Sequence, residues 1–214
     1  MRRSAVFALY LPMLMGLLGR PVAAQDAPRR IGPVVVDVRG SFPAFPNDPA
    51  LAESRGLDVR ELPGRGLGAD AGIHVYVARW KAVTLGIGGQ VTIVQAGFAA
   101  VPAAELRAVT ERLTSMAPHL SLNFGTGDGW SYLSVARGTS AWSIVPDGSP
   151  STPADRERLR TFSYGGGARW FSKRHVGFTF DIRFHEVAPG SLQPDRPGSP
   201  RTTFVVLSAG MSIK

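Results

Sequence analysis

The chain contains no cysteine. That absence excludes disulfides, thiol catalysis and thiolate metal sites together. It also excludes the lipidated cysteine that begins a mature lipoprotein. Histidine is scarce. His74, His119, His175 and His185 are all there are, and none pairs with another at metal-ligand spacing beside acids. Neither a metal site nor a cofactor is expected. Long apolar runs are missing too. Past the N-terminus no stretch approaches the roughly 18–20 residues of a membrane helix. A membrane-inserted chain would therefore cross as a barrel. Finally, the basic residues are scattered despite a net charge of +8. No Lys/Arg block interleaved with aromatics is present, so nucleic-acid binding is not expected. A mild basic excess can meet anionic lipid phosphates, or it can be ordinary solvated surface.

The N-terminus reads as an export signal. Arg2 and Arg3 precede the apolar run Ala5 to Leu18, and Val22-Ala23-Ala24 offers a cleavage site before Gln25. The run is too short for a comfortable helical span, which argues against an uncleaved anchor. Residues 1–24 are expected to leave as the signal peptide, with 25–214 forming one barrel domain. Cleavage removes Arg2, Arg3 and Arg20, leaving 21 basic against 16 acidic residues, a net +5.

The rest alternates apolar and polar residues in eight stretches, joined by connections that run long, short, long, short, long, short, long. The last stretch puts Val205, Leu207, Ala209, Met211 and Ile213 on one face, with Phe204, Val206, Ser208, Gly210 and Ser212 on the other. The one before puts Val176, Phe178, Phe180, Ile182 and Phe184 opposite Gly177, Thr179, Asp181, Arg183 and His185. Such alternation means strands between two unlike environments. The sequence predicts strands over 33–42, 72–80, 83–97, 112–124, 130–143, 159–171, 175–187 and 202–213. Helical spacing over 102–111 allows a helix in the loop before the fourth, and Pro118 predicts a local bulge inside it.

A soluble eight-stranded carrier of lipocalin type would bury the Phe/Ile faces, whereas a membrane barrel turns them outward. The second face is small and polar along most strands, as a narrow lumen requires. Trp80, Trp130 and Trp170 fall beside short turns and Trp142 at the opposite end of its strand. That placement predicts two interfacial aromatic girdles. The fold class expected is therefore all-β, an eight-stranded antiparallel up-and-down transmembrane β-barrel with short periplasmic turns and long extracellular loops.

His119-Leu120-Ser121-Leu122-Asn123-Phe124-Gly125, Gly129-Trp130-Ser131-Tyr132, Tyr164-Gly165-Gly166-Gly167-Ala168-Arg169-Trp170-Phe171 and the closing strand resemble the small OmpA/OmpX-type outer-membrane barrels. The resemblance covers nearly all of the mature chain. It implies location in the bacterial outer membrane, contact with outer-membrane lipid and lipopolysaccharide, help from the barrel-assembly machinery, and a monomer. The sequence stops with the last barrel strand, so no peptidoglycan-binding domain is expected to follow. One departure stands out. The closing strand of such proteins usually ends in an aromatic residue, and here it ends Ile213-Lys214.

Asp37, Arg39, Arg169, Asp181, Arg183 and His185 fall on the lumen face. Charges confined there must pair. They predict a structural ionic plug, with a narrow polar conduit as the alternative. The triplet His119-Leu120-Ser121 matches the His-x-Ser pair of lipid A deacylases. The neighbouring strand from Trp130 to Val145 supplies no acid, and alternation turns His119 and Ser121 away from lipid. No catalytic residue is expected. The function predicted is structural or surface-interacting, with a passive channel second.

Overall fold

A computed structural model describes residues 30–214. The expected signal peptide lies outside the described residues. Eight antiparallel strands close into an up-and-down barrel in sequence order, β8 pairing back onto β1. The strands are β1 (Val34–Ala44), β2 (Gly66–Trp80), β3 (Val83–Phe98), β4 (Val109–Thr126), β5 (Gly129–Pro146), β6 (Arg158–Trp170), β7 (Val176–Val187) and β8 (Thr202–Ile213).

One rim carries the tight connections. β2 turns into β3 over Lys81 and Ala82, with Lys81 in the left-handed region at φ 52°. The β4–β5 turn is shorter than expected, because both strands run on to Thr126 and Gly129. The other rim carries the long loops. The first contains a short helix, α1 (Pro49–Arg55). Pro49 suits the first turn, Asp48 caps it by accepting from the Ala50 N–H, and Gly56 ends it at φ 64°. A second one-turn helix, α2 (Pro153–Arg156), lies in the third loop.

Several boundaries differ from the sequence reading. β2 begins six residues early, since 66–71 pairs with β3 and 68–71 also with β1. The segment 102–111 is not a helix. A single 3-10 turn, Pro102–Ala104, ends at Glu105 in the left-handed region, and β4 is already paired at Val109. Pro118 causes no bulge. Its register with β3 is continuous through Gly89, and toward β5 the pairing lapses only between Met116–Thr139 and His119–Ala136 without a shift. Pro118 lacks the N–H a ladder needs, yet it costs the sheet only that local pairing. The irregularity falls instead in β2, between Tyr76 and Ala78.

The two faces are inverted relative to a soluble barrel. Val38 (58% exposed), Leu133 (61%) and Phe178 (65%) belong to an apolar belt on the outside. Inside are buried aspartates, arginines, histidines and serines. Water would expel such a belt, while hydrocarbon accepts it. The barrel is a transmembrane one, and the soluble-carrier arrangement with Phe and Ile faces inward does not occur.

Candidate functional site in the barrel interior

The lumen is filled in three layers. At the short-turn rim, Trp130 stacks on Phe171 with ring centroids 5.1 Å apart and meets the edge of Tyr76 at 5.8 Å. Lys214 sits over Phe171 at 3.9 Å and donates to the Gly127 carbonyl.

The middle layer is ionic. Asp37 on β1 accepts from Arg169 Nε at 3.1 Å and from Arg169 Nη2 at 2.5 Å across the lumen. It also accepts from Ser212 Oγ at 2.5 Å and lies 2.9 Å from His74 Nε2. Arg39 pairs with Asp70 and donates to Tyr132 Oη at 3.1 Å. Tyr132 in turn donates to Asp181 at 2.7 Å, and Arg183 holds the same carboxylate at 3.1 and 3.2 Å. The Arg169 guanidinium lies 4.2 Å from the Tyr132 ring centre. Three carboxylates (Asp37, Asp70, Asp181) thus face three guanidiniums (Arg39, Arg169, Arg183), and the layer is formally neutral. Neutrality matters here. An unmatched charge removed from water costs several kcal/mol, about as much as the whole barrel can lose.

The third layer is apolar and lies under the long loops. Phe45, Trp142 and Phe204 pack with centroids 5.4 to 6.1 Å apart. Leu51, Leu57 and Leu62 of the first loop fold down onto them. The loop is tied in place by charge. Arg107 reaches both oxygens of Glu61, at 3.0 and 2.9 Å, and its backbone N–H adds a third bond at 2.7 Å. Those bonds hold the Glu61 carboxyl down to about 2. Asp155 takes the Ile144 N–H at 3.0 Å and lies 3.4 Å from Arg55 Nε, so the third loop is tied to the first. Arg55 itself is lowered by burial.

Five of the six lumen residues expected from sequence meet in the middle layer. His185 does not. It stacks on Phe204 at 5.2 Å, and neither of its ring nitrogens has a hydrogen-bond partner. The sequence expectation omits Asp70, because its β2 starts after that residue, and it omits the roles of His74, Tyr132 and Ser212. Strict alternation extended back along β2 would have reached Asp70.

Two of the four tryptophans correct the expected girdles. Trp130 is 3% exposed and Trp142 0%, and both point into the lumen. The Trp142 indole donates to Glu111 at 2.9 Å. Both share the parity of Tyr132 and Ser134, opposite to Leu133 and Val135, so the phase of β5 decides their direction. Trp80 (75%) and Trp170 (56%) lie on the outer face at the short-turn rim.

His119 and Ser121 are both buried inside, and they do not bond each other. His119 Nε2 lies 2.9 Å from His74 Nδ1, while Ser121 Oγ takes a bond from Asn123 at 3.0 Å. The serine therefore has no base. Among the described residues no group of three or more His, Asp or Glu could hold a metal ion.

No protein-family model matches the chain, and no curated protein matches it by sequence. Among solved structures, Neisserial surface protein A is similar with a TM-score of 0.56 at 13% identity, over 86% of this chain and 97% of that one. The outer membrane protein OprG from Pseudomonas aeruginosa matches with a TM-score of 0.47 at 9% identity, over 87% and 97%. The N-terminal β-barrel domain of Pseudomonas aeruginosa OprF matches at 0.45 and 10%, over 85% and 96%. The likeness to Neisserial surface protein A establishes the fold, that of the small eight-stranded outer-membrane barrels.

Proposed function

We propose that the protein is a non-catalytic barrel of the bacterial outer membrane whose work is done by its envelope and loops rather than by its lumen. The observation that carries this reading is the inversion of faces, an apolar belt outside a neutral core of buried ion pairs. The short turns then face the periplasm and the long loops face out. Three filled layers argue against a passive conduit. The unpaired arrangement of His119 and Ser121 argues against a serine hydrolase. What remains is a rigid, plugged cylinder that presents four loops, suited to bracing the envelope or to surface contacts.

Expression with its own N-terminus in a Gram-negative host tests this. Carbonate-washed outer membranes should retain the protein, and boiling should shift its mobility on a detergent gel. Soluble periplasmic protein without a shift would overturn the reading.

A further inference from the structure

The outer face of the barrel is not uniformly apolar. On β5 the belt of Leu133 and Val135 is followed by Arg137. On β6 the belt of Tyr164 and Phe162 is followed by Arg160 and Arg158. All three arginines are exposed and point outward. Register sets them side by side. Arg137 opposes Phe162, Arg160 opposes Thr139, and Arg158 opposes Ala141. Arg137 and Arg160 are thus diagonal neighbours, with backbones about 7–8 Å apart, within reach of long side chains. None of the three side chains makes a hydrogen bond or ion pair among the described residues. Glu186, which opposes Phe162 on the neighbouring strand, is held by Arg201 at 2.5 Å.

Three unpaired like charges on one face repel each other, and folding alone supplies no reason to keep them together. An anionic partner does. Its chemistry follows from position. The arginines sit where the apolar belt ends toward the long loops, the depth at which lipid headgroups lie. Directly beside Arg137 and Phe162 an apolar depression opens on the outer face, floored near Pro118, where β4 and β5 are not paired, and walled by Leu120 and Val135. Guanidinium forks bind phosphate oxygens in pairs, and the depression admits a hydrocarbon chain below them.

We propose that the β5–β6 face binds a phosphorylated glycolipid of the loop-side leaflet, lipid A in an outer membrane, with its phosphates on Arg137, Arg158 and Arg160 and an acyl chain in the depression. This rests on the membrane placement proposed above.

The test uses the full chain purified in detergent and native mass spectrometry with added bisphosphorylated lipid A. The wild type should retain the lipid, and R137Q/R158Q/R160Q should lose roughly 100-fold in affinity, at about fivefold for each arginine near a membrane surface. The Lys triple, which keeps the charges without the two-pronged forks, should bind between the wild type and the Gln triple, and dephosphorylated lipid A should not bind. A retained boiling shift certifies folding of each variant. Should the Gln triple lose the shift, R160Q alone replaces it, with several-fold weaker binding expected. Equal binding by a folded Gln variant, or equal retention of phosphatidylglycerol, overturns this proposal alone. A wild type without a boiling shift overturns the membrane placement, and this proposal with it.

Discussion

Arg169 on β6 and Asp37 on β1 stand 132 positions apart in sequence and meet across the lumen in a two-pronged ion pair, Nε and Nη2 each donating to one carboxylate oxygen. No backbone pairing connects these two strands. The contact braces opposite walls of the cylinder, and it sits at the centre of a layer whose charges balance.

Asp37→Asn leaves Arg169 buried without its counter-charge. Losing one partner of such a pair costs about 3–5 kcal/mol. Urea titration of the lipid-reconstituted protein, read by the folded-to-unfolded gel shift, should register that loss. Replacing both groups, as in D37N with R169M, should recover a large part of it, because no orphan charge remains. A single variant as stable as the wild type would show that the pair is not structural.

Glu61 couples the first loop to pH. Its folded carboxyl is held to about 2, mainly by the Arg107 side chain, against an ordinary 4.5. A lowered folded value means that the stabilisation is complete above about 4.5 and disappears as pH falls through about 2. Pepsin, active across that window, should cut the first loop increasingly toward the acid end. In Glu61→Gln the loop should be cut at every pH tested, and a flat profile in the wild type would refute the tether.

The filled lumen predicts electrical silence. In planar bilayers the wild type should give no discrete conductance steps. Removing α1 together with Gly56 should leave the bilayer silent as well, since the ionic layer beneath still closes the bore. Steps in the wild type would reinstate the conduit.

Tryptophan direction can be read optically. In single-tryptophan variants reconstituted with brominated lipids, Trp80 and Trp170 should be quenched, and Trp130 and Trp142 should not. Quenching of Trp142 would contradict its bond to Glu111.

Much of this was legible in the sequence because a period of two, once established, assigns every side chain in a strand to a face. The Val/Asp/Val/Arg run of β1 and the Phe/Asp/Ile/Arg run of β7 needed nothing else. Reading failed where composition was bland. The stretch from Gly66 to Ala71 carries little β-propensity of its own, so the sequence alone starts β2 late and leaves Asp70 out of the lumen. It failed again where position was weighed above phase. Trp130 and Trp142 sit at strand ends like girdle residues, but their parity is that of the interior. Trp80 is the converse case. The irregularity between Tyr76 and Ala78 resets the phase, so Trp80 opposes Val83 and emerges on the outside. Nothing in a single sequence says which of two lumen arginines meets which aspartate, because that depends on the shear of the whole cylinder.

The seam between β1 and β8 has a consequence for how the molecule is made. Val36 and Val176 share the same neighbour, Ile213, one on each side. The opening strand therefore has no second partner until β8 has been synthesised. Before that moment the chain is at most a ribbon with two raw edges and a charged face exposed to solvent. Closure must wait for β8, and a ribosome that stalls before it yields nothing that can close.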